Sequence, residues 1–442
     1  MAKDLINTPI LKLFLSYFMP SFISMFVLST YVIVDGIFVG KGIGEIGLGA
    51  IGLVTPVFSL LIGIELLFGI GGAALVSMSL GRNKPHKARI IFSSIMYCLS
   101  LLGISLSIIM FIFRENLAYA LGSNEELLEY VMPYLNIIII GSTIILLQST
   151  LCTFARNDKA PNLAMISFVS GSIINIILNY IFIFIFKWGM FGAAFSTILG
   201  HFFGLLIILW HFINKKGSLY FVKVFSLRAL NLAIKSGISP AMTEFAFGFT
   251  IVLMNILLID LSGERGVAIL SIIMYIGAVC FGSILSISHG LQPIASYNFG
   301  AGQIERTLKT LKIGIIFAAL MGAMIYIILF FGIPYIATIF LQSKTTILDD
   351  LIFAVRIYFF GYLFLGSNVI IAAFLQATGR NISSIIVSAA HNLVFMMIFL
   401  PIFAYCFGIN GIWASYPVSL FCAFIIGIFI LKKELKYFKG IK

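Results

Sequence analysis

Runs of about twenty apolar residues recur from one end of the chain to the other, separated by short polar stretches. A run of that length carries a helix through about 30 Å of hydrocarbon, so each reads as one membrane crossing. Twelve crossings are predicted, over residues 13–39, 46–76, 91–113, 131–155, 163–186, 190–213, 236–259, 266–290, 313–333, 357–379, 382–405 and 409–431. Polar and apolar faces alternate only weakly within them, as expected where lipid and other helices surround each one. The fold class this implies is an all-α polytopic membrane protein.

The punctuation of the runs repeats at half the chain length. At one common shift Pro20 falls on Pro240, Asp35 on Asn255 and Phe154 on Phe374; at a shift one position shorter Gly81 falls on Gly300. Gly189, Gly192, Ser196 and Phe202 fall on Gly408, Gly411, Ser415 and Phe421, all at that shorter shift and within one short window. Six crossings per half is an even number, so both halves start on the same side of the membrane and the repeat is parallel. The expected organisation is an N-lobe over residues 1–213, a cytoplasmic connector over 214–235 and a C-lobe over 236–442, with a solute cleft between lobes.

Composition excludes the soluble classes. Of the 442 residues 61% are hydrophobic and 10% charged, against about 45–50% and 25% in a soluble domain. Five cysteines, all in apolar runs and without paired spacing, indicate neither a disulfide framework nor a zinc site. The net charge of +12 is explained by topology. With both termini in the cytoplasm, twenty-two of the 28 basic residues lie on the cytoplasmic side, leaving Lys41, Arg114, Lys187, Arg265, Lys344 and Arg356 opposite. That bias sets orientation and favours contact with anionic lipid. No basic stripe interleaved with aromatics marks a nucleic-acid partner. The first run is too long for a cleavable signal and continues into a second crossing, so it is expected to act as its own insertion signal.

Thirteen of the sixteen acids lie in loops or near helix ends, leaving Asp35, Glu65 and Glu244 at membrane depth with no Lys or Arg in the same runs. A lone carboxylate there costs about 2.5–3.5 kcal/mol even on the lenient insertion scale, so it is expected to face protein or a water-filled cavity. Its charge can be met by a proton, a Na⁺ or an organic cation. A protonated carboxyl that merely bonds a neighbouring helix is the plainer account. Asn175 and Asn179, one turn apart on one face, can complete a coordination shell or simply join helices. Glu244 and Asn255 share a face but stand about 16 Å apart along the axis, too far for one ion site. His391 is a candidate proton relay, although polar packing is the commoner role of such a residue.

Other patterns carry less chemistry. Gly42, Gly44 and Gly47, and Gly69, Gly71 and Ala74, match a dinucleotide fingerprint in spacing, but no βαβ unit surrounds either. Gly200 and Gly204 form a small-residue packing pair. Asn381 opens a glycosylation sequon in a loop expected to be cytoplasmic. Pro20 and Pro240, near the starts of matching crossings, are candidate bending points. No nucleophile elbow or zinc motif is present, and the chain is not read as an enzyme.

Three stretches resemble the multidrug and toxic compound extrusion (MATE) family, in its bacterial branch. They are Tyr31-Val-Ile-Val-Asp35-Gly-Ile-Phe-Val-Gly40-Lys41, Gly69-Ile-Gly-Gly-Ala-Ala-Leu-Val-Ser77 with Leu80-Gly81, and Gly290-Leu-Gln-Pro293-Ile-Ala-Ser-Tyr-Asn298-Phe-Gly300. The resemblance covers nearly the whole chain. It implies a two-lobed antiporter of the bacterial plasma membrane that exports amphipathic, often cationic, compounds in exchange for H⁺ or Na⁺, working as a monomer without a cofactor. It also implies a cation site of Asp35, Asn175 and Thr197, with Na⁺ a candidate ligand at Asp35 and no structural metal. Asn179 stands where many relatives carry aspartate, and Glu65 is expected to restore the missing charge. The Pro240-Ala-Met-Thr-Glu244 run suggests a C-lobe site around Glu244, with Asn255 and His391. The rivals are a lipid-linked oligosaccharide flippase, which calls for a basic interior, and a membrane-embedded enzyme.

Overall fold

The computed structural model describes residues 5–340 and 347–440; Lys3, Lys344 and Lys442, counted above for orientation, lie outside them. The first half comprises α1 (Ile10–Gly42), α2 (Glu45–Gly81), α3 (Pro85–Ile112), α4 (Glu125–Asn157), α5 (Pro161–Ile185) and α6 (Gly189–Ile213). The second comprises α7 (Leu227–Ser262), α8 (Glu264–Gly300), α9 (Ile304–Phe340) and α10 (Leu348–Ala377), followed by one 58-residue helical run, Asn381–Phe438. That run breaks at Gly408 (φ 60°, ψ −140°) into α11, residues 381–407, and α12, residues 409–438. A side chain is strained at such a φ, so glycine is what allows the chain to turn between crossings. Twelve crossings result among the described residues. Most helices outrun their apolar core because about thirty residues span about 45 Å at 1.5 Å per residue, more than the hydrocarbon needs.

Two compact units divide the chain: residues 1–8, 19–241 and 300–302 in one, and 9–18, 242–299 and 303–442 in the other. The sequence boundaries at 213 and 235 therefore move. Helix α7 starts at Leu227, well before its apolar run begins, and its first turns pack on α2 in the first unit. Glycine makes this approach possible: a Cβ on Gly71 would run into Ala233 O, and one on Gly237 into Leu67 O. The second unit holds the counterpart. There the first turns of α1 lie on α8 and α9, with Phe14 and Phe18 against Phe317 at 5.0 and 5.8 Å and Gly290 closely apposed to Phe18. Gly71 and Gly290 are separated by the same shift as Gly81 and Gly300, so the repeat read from punctuation extends to equivalent helix contacts.

The rest of the connector is tied to the first unit. The buried Asp158 carboxylate accepts the Ser218 and Leu219 amides at 2.8 and 3.2 Å and meets His211 Nε2 at 3.0 Å. Arg89 Nε donates to Ser218 O at 2.9 Å, and the hydroxyls of Ser93 and Ser94 accept the amides of Val222 and Ser226.

Within the first unit α5 and α6 touch backbone to backbone. A Cβ on Gly171 would lie 2.7 Å from Gly200 O, and one on Gly200 2.6 Å from Gly171 O. One on Gly204 would lie 2.9 Å from Ser167 O, so the small-residue pair of α6 is a packing surface against α5. Three helices depart locally to π geometry, at Leu66–Ile70, Ile181–Ile185 and Ala390–Val394. Such single wide turns often accompany functional residues. Glu65 directly precedes the first, Asn179 lies just before the second, and His391 is within the third. Gly200→Val is expected to force α5 from α6 and cost about 1–3 kcal/mol, whereas Gly49→Ala, with nothing within 4 Å, should be tolerated. Thermal unfolding of the purified variants checks this; a Gly200→Val protein as stable as wild type would refute the close approach.

Candidate functional site

Helix α1 brings Asp35 inward, leaving it 9% exposed. Its Oδ1 accepts a hydrogen bond from Asn179 Nδ2 of α5. Since a carboxylate can only accept, the Asn179 amide must present its NH₂ there, and its own carbonyl oxygen is left buried without a partner. One turn earlier on α5, Asn175 Nδ2 donates to Thr197 Oγ1 of α6 at 3.2 Å, and Thr197 in turn donates to Ala193 O at 3.1 Å. Asn175 Oδ1 is also buried and unpartnered. The Gly171–Gly200 contact sits one turn from Asn175 and brings the two helices close enough for that amide to reach across. The structure thus joins Asp35 to Asn179 and, one turn earlier on α5, Asn175 to Thr197.

Two tyrosines complete the surroundings. Tyr31, four residues before Asp35 on the same face of α1, and Tyr134 of α4 both lie within the field of the carboxylate. The i, i+4 spacing could have flagged Tyr31; nothing in sequence singles out Tyr134. Among the described residues no Lys or Arg pairs with Asp35. No group of three or more His, Cys, Asp or Glu side chains suited to a metal occurs among them either. One carboxylate, two unsatisfied amide oxygens and a hydroxyl on adjacent turns are all hard oxygen donors, with at most a single negative charge among them. A monovalent cation or a proton balances that charge. A divalent ion would leave an uncompensated positive charge in an apolar interior, which is costly.

Glu65 belongs to a different group. Its Oε1 accepts from Thr153 Oγ1 at 3.1 Å, and the same hydroxyl accepts Arg156 Nη2 at 2.8 Å. Gly69 leaves room for this carboxylate, since a Cβ there would lie 2.8 Å from Oε1. Arg156, one residue past the predicted end of the crossing over 131–155, is 5% exposed in the last turn of α4. Glu65 thus has a basic neighbour from just outside the predicted runs, linked to it through the Thr153 hydroxyl, whereas the bond of Asp35 leads to Asn179. The reason is charge balance. A buried guanidinium needs an acceptor within reach, and the Glu65–Thr153 pair supplies it.

In the second unit Glu244 and Asn255 are half-buried on α7, and three turns of helix separate them. Both ring nitrogens of the buried His391 are engaged close by, Nδ1 with Val387 O at 3.1 Å and Nε2 with the Asn392 amide at 2.7 Å. The structure does not assemble these three around one ion.

Twelve apolar crossings with a buried polar site of this kind define a multi-pass membrane transporter. The MatE family model matches residues 20–181 and, a second time, 240–402, and the chain belongs to that family. The two matches begin at Pro20 and Pro240, the pair already aligned by the repeat in the sequence. The chain is similar to the multidrug export protein MepA of Staphylococcus aureus strain NCTC 8325, 25% identical over 440 residues that span 97% of this chain and 96% of that one. It is similar also to MepA of Staphylococcus saprophyticus, 26% identical over 88% of this chain and 86% of the other. Among solved structures it superposes on an outward-facing multidrug resistance MATE family transporter of the MOP superfamily, with TM-score 0.92 and 23% identity over 99% and 98% of the two chains. A MOP superfamily transporter from Pyrococcus furiosus, described as having a binding pocket of reverse polarity, superposes with TM-score 0.93 and 23% identity over 98% of each chain.

Removal of the shared hydroxyl should uncouple Glu65 from Arg156. Thr153→Val is expected to lose about 1–3 kcal/mol in unfolding measurements, with Thr153→Ser close to wild type; equal stability of all three proteins would sink the bridge.

Proposed function

We propose that this chain is an antiporter that exports amphipathic, often cationic, small organic compounds in exchange for H⁺ or Na⁺. The observation that carries the reading is a buried carboxylate, Asp35, held by the neutral Asn179 amide, with unsatisfied amide oxygens on Asn179 and, one turn away, Asn175. Such a group can give up one positive guest for another. Exchange then follows from competition between guest cations, provided the coupling cation and the substrate favour different conformations; a ligand with equal affinity for both would shift nothing. The export of drugs by the MepA relatives supports the substrate class. The abundance of Phe (44) and Met (16) offers adaptable apolar contacts for such substrates. The distribution of basic residues supports a cytoplasmic position for both termini.

The structural likeness to a transporter of reversed pocket polarity means that the fold by itself does not choose a substrate, so the argument rests on Asp35. A flippase for lipid-linked oligosaccharides would use a basic interior. The buried cation seen here, Arg156, is instead turned to Thr153 beside Glu65.

Dye efflux from proteoliposomes, with pH and sodium gradients imposed independently, tests the reading. Wild-type export should follow one of the two gradients, and Asp35→Asn should lose gradient-driven export by at least about tenfold while unfolding at an unchanged temperature. Wild-type rates in that variant would defeat the assignment. Asn179→Asp adds a second acid and is expected to increase the dependence on sodium; an unaltered sodium response would remove Asn179 from the site.

A further inference from the structure

Beside the Asp35 cluster is a small cavity lined by Tyr31, Gln148, Asn175, Thr197 and His201, among others, with a volume of about 20 Å³. That is room for about one water-sized guest. The protonation of its wall can be read from hydrogen-bond arithmetic. Ser167 Oγ donates its single proton to Gly204 O at 2.8 Å, so toward Gln148 it can only accept. Gln148 Nε2 lies 3.1 Å from that oxygen and donates to it, which turns Gln148 Oε1 to His201 Nδ1 at 3.0 Å. The Nδ1 of His201 must therefore carry a proton. In the neutral ring Nε2 is then a lone pair, and it makes no hydrogen bond among the described residues. Asn175, whose Oδ1 is buried and unpartnered, lines the same cavity. Two acceptors around a space for one small guest call for a guest with at least two donor hydrogens, which a water or a hydronium supplies.

We propose that His201 is a second proton-binding group of the first unit. It takes a proton at Nε2 from a hydronium in this cavity and returns it to a water in the same space, which Asn175 and Thr197 also line. On protonation the ring becomes imidazolium, keeps its Nδ1–H on Gln148 and gains a donor at Nε2. The hydronium that delivered the proton is left as a neutral water, which turns from donor to acceptor at that nitrogen. Gln148, held by Ser167, acts as a positioning residue that selects the tautomer. The ionisable groups around the ring are few. Helix α1 contributes Tyr31, with Asp35 one turn farther on and bonded to Asn179. Helix α4 contributes Cys152, which meets Ser167 and Gln148 Nε2 at 3.4 and 3.9 Å, with Arg156 and its neighbour Glu65 a turn beyond. Helix α5 contributes only neutral polar groups, Ser167, Ser172 and Asn175, and α6 adds Thr197.

The proposal deepens the exchange reading, and its test separates the two. In full-length protein reconstituted in lipid and labelled with ¹⁵N-histidine, the His201 resonances should show the Nδ1–H tautomer at high pH and convert to imidazolium on acidification. They are assigned by their loss in His201→Gln or, should that variant not fold, by replacing the other four histidines one at a time. Gln148→Leu should abolish the tautomer preference, a change that a merely packing role would not produce. In proteoliposomes, His201→Gln should move the pH midpoint of dye export by about one unit and lower the number of protons taken up. An Nε2–H tautomer, a ring that stays neutral throughout the pH range of export, or an unchanged export profile in folded His201→Gln overturns the proposal. Undiminished gradient-driven export in Asp35→Asn overturns the exchange reading instead, whatever the imidazole does.

Discussion

A carboxylate cannot sit in an apolar interior without donors, and Asp35 finds one in the Asn179 amide. The consequences spread from that bond. Because the amide nitrogen is committed, the Asn179 oxygen faces inward unsatisfied, and one turn away the Asn175 oxygen does the same while its nitrogen is held by Thr197. The arrangement depends in turn on α5 and α6 touching at Gly171 and Gly200, since larger side chains there would carry Thr197 out of reach. Small residues in one layer of the unit thus set the electrostatics of the next.

The two acids of the first unit illustrate how neighbours divide roles. Glu65 shares Thr153 with a buried arginine, so its charge is compensated within the protein. A compensated charge holds helices α2 and α4 together. Asp35 meets the neutral Asn179 amide, and among the described residues no Lys or Arg pairs with it. Apolar burial alone would have treated the two carboxylates alike. The difference lies in whether a guanidinium reaches the site.

Internal duplication accounts for the frame but not for the chemistry. Gly71 and Gly290 make equivalent helix contacts in the two halves, while Asp35 is matched by Asn255, a neutral amide. The helical scaffold depends on small residues and prolines that recur in both halves, whereas the polar residues have separated. In the first unit they converge on α1, α4, α5 and α6. In the second, Glu244 and Asn255 remain three turns apart and the ring of His391 is engaged by Val387 and Asn392.

Much of this was legible without coordinates. Twelve crossings and the parallel repeat follow from apolar run lengths and from punctuation at a fixed shift, while Asp35, Asn175 and Thr197 stand out by matching the MATE pattern and Asn179 by departing from it. The bilayer makes such reading effective, because every spanning backbone must satisfy its own hydrogen bonds and so becomes a helix. What sequence could not settle were contacts between residues far apart in the chain. The folding of Arg156 onto Thr153 beside Glu65, the first turns of α7 on α2, and the Ser167–Gln148–His201 chain that assigns a proton all depend on which helix faces meet. Run length and composition do not encode those faces; side-chain packing in three dimensions decides them.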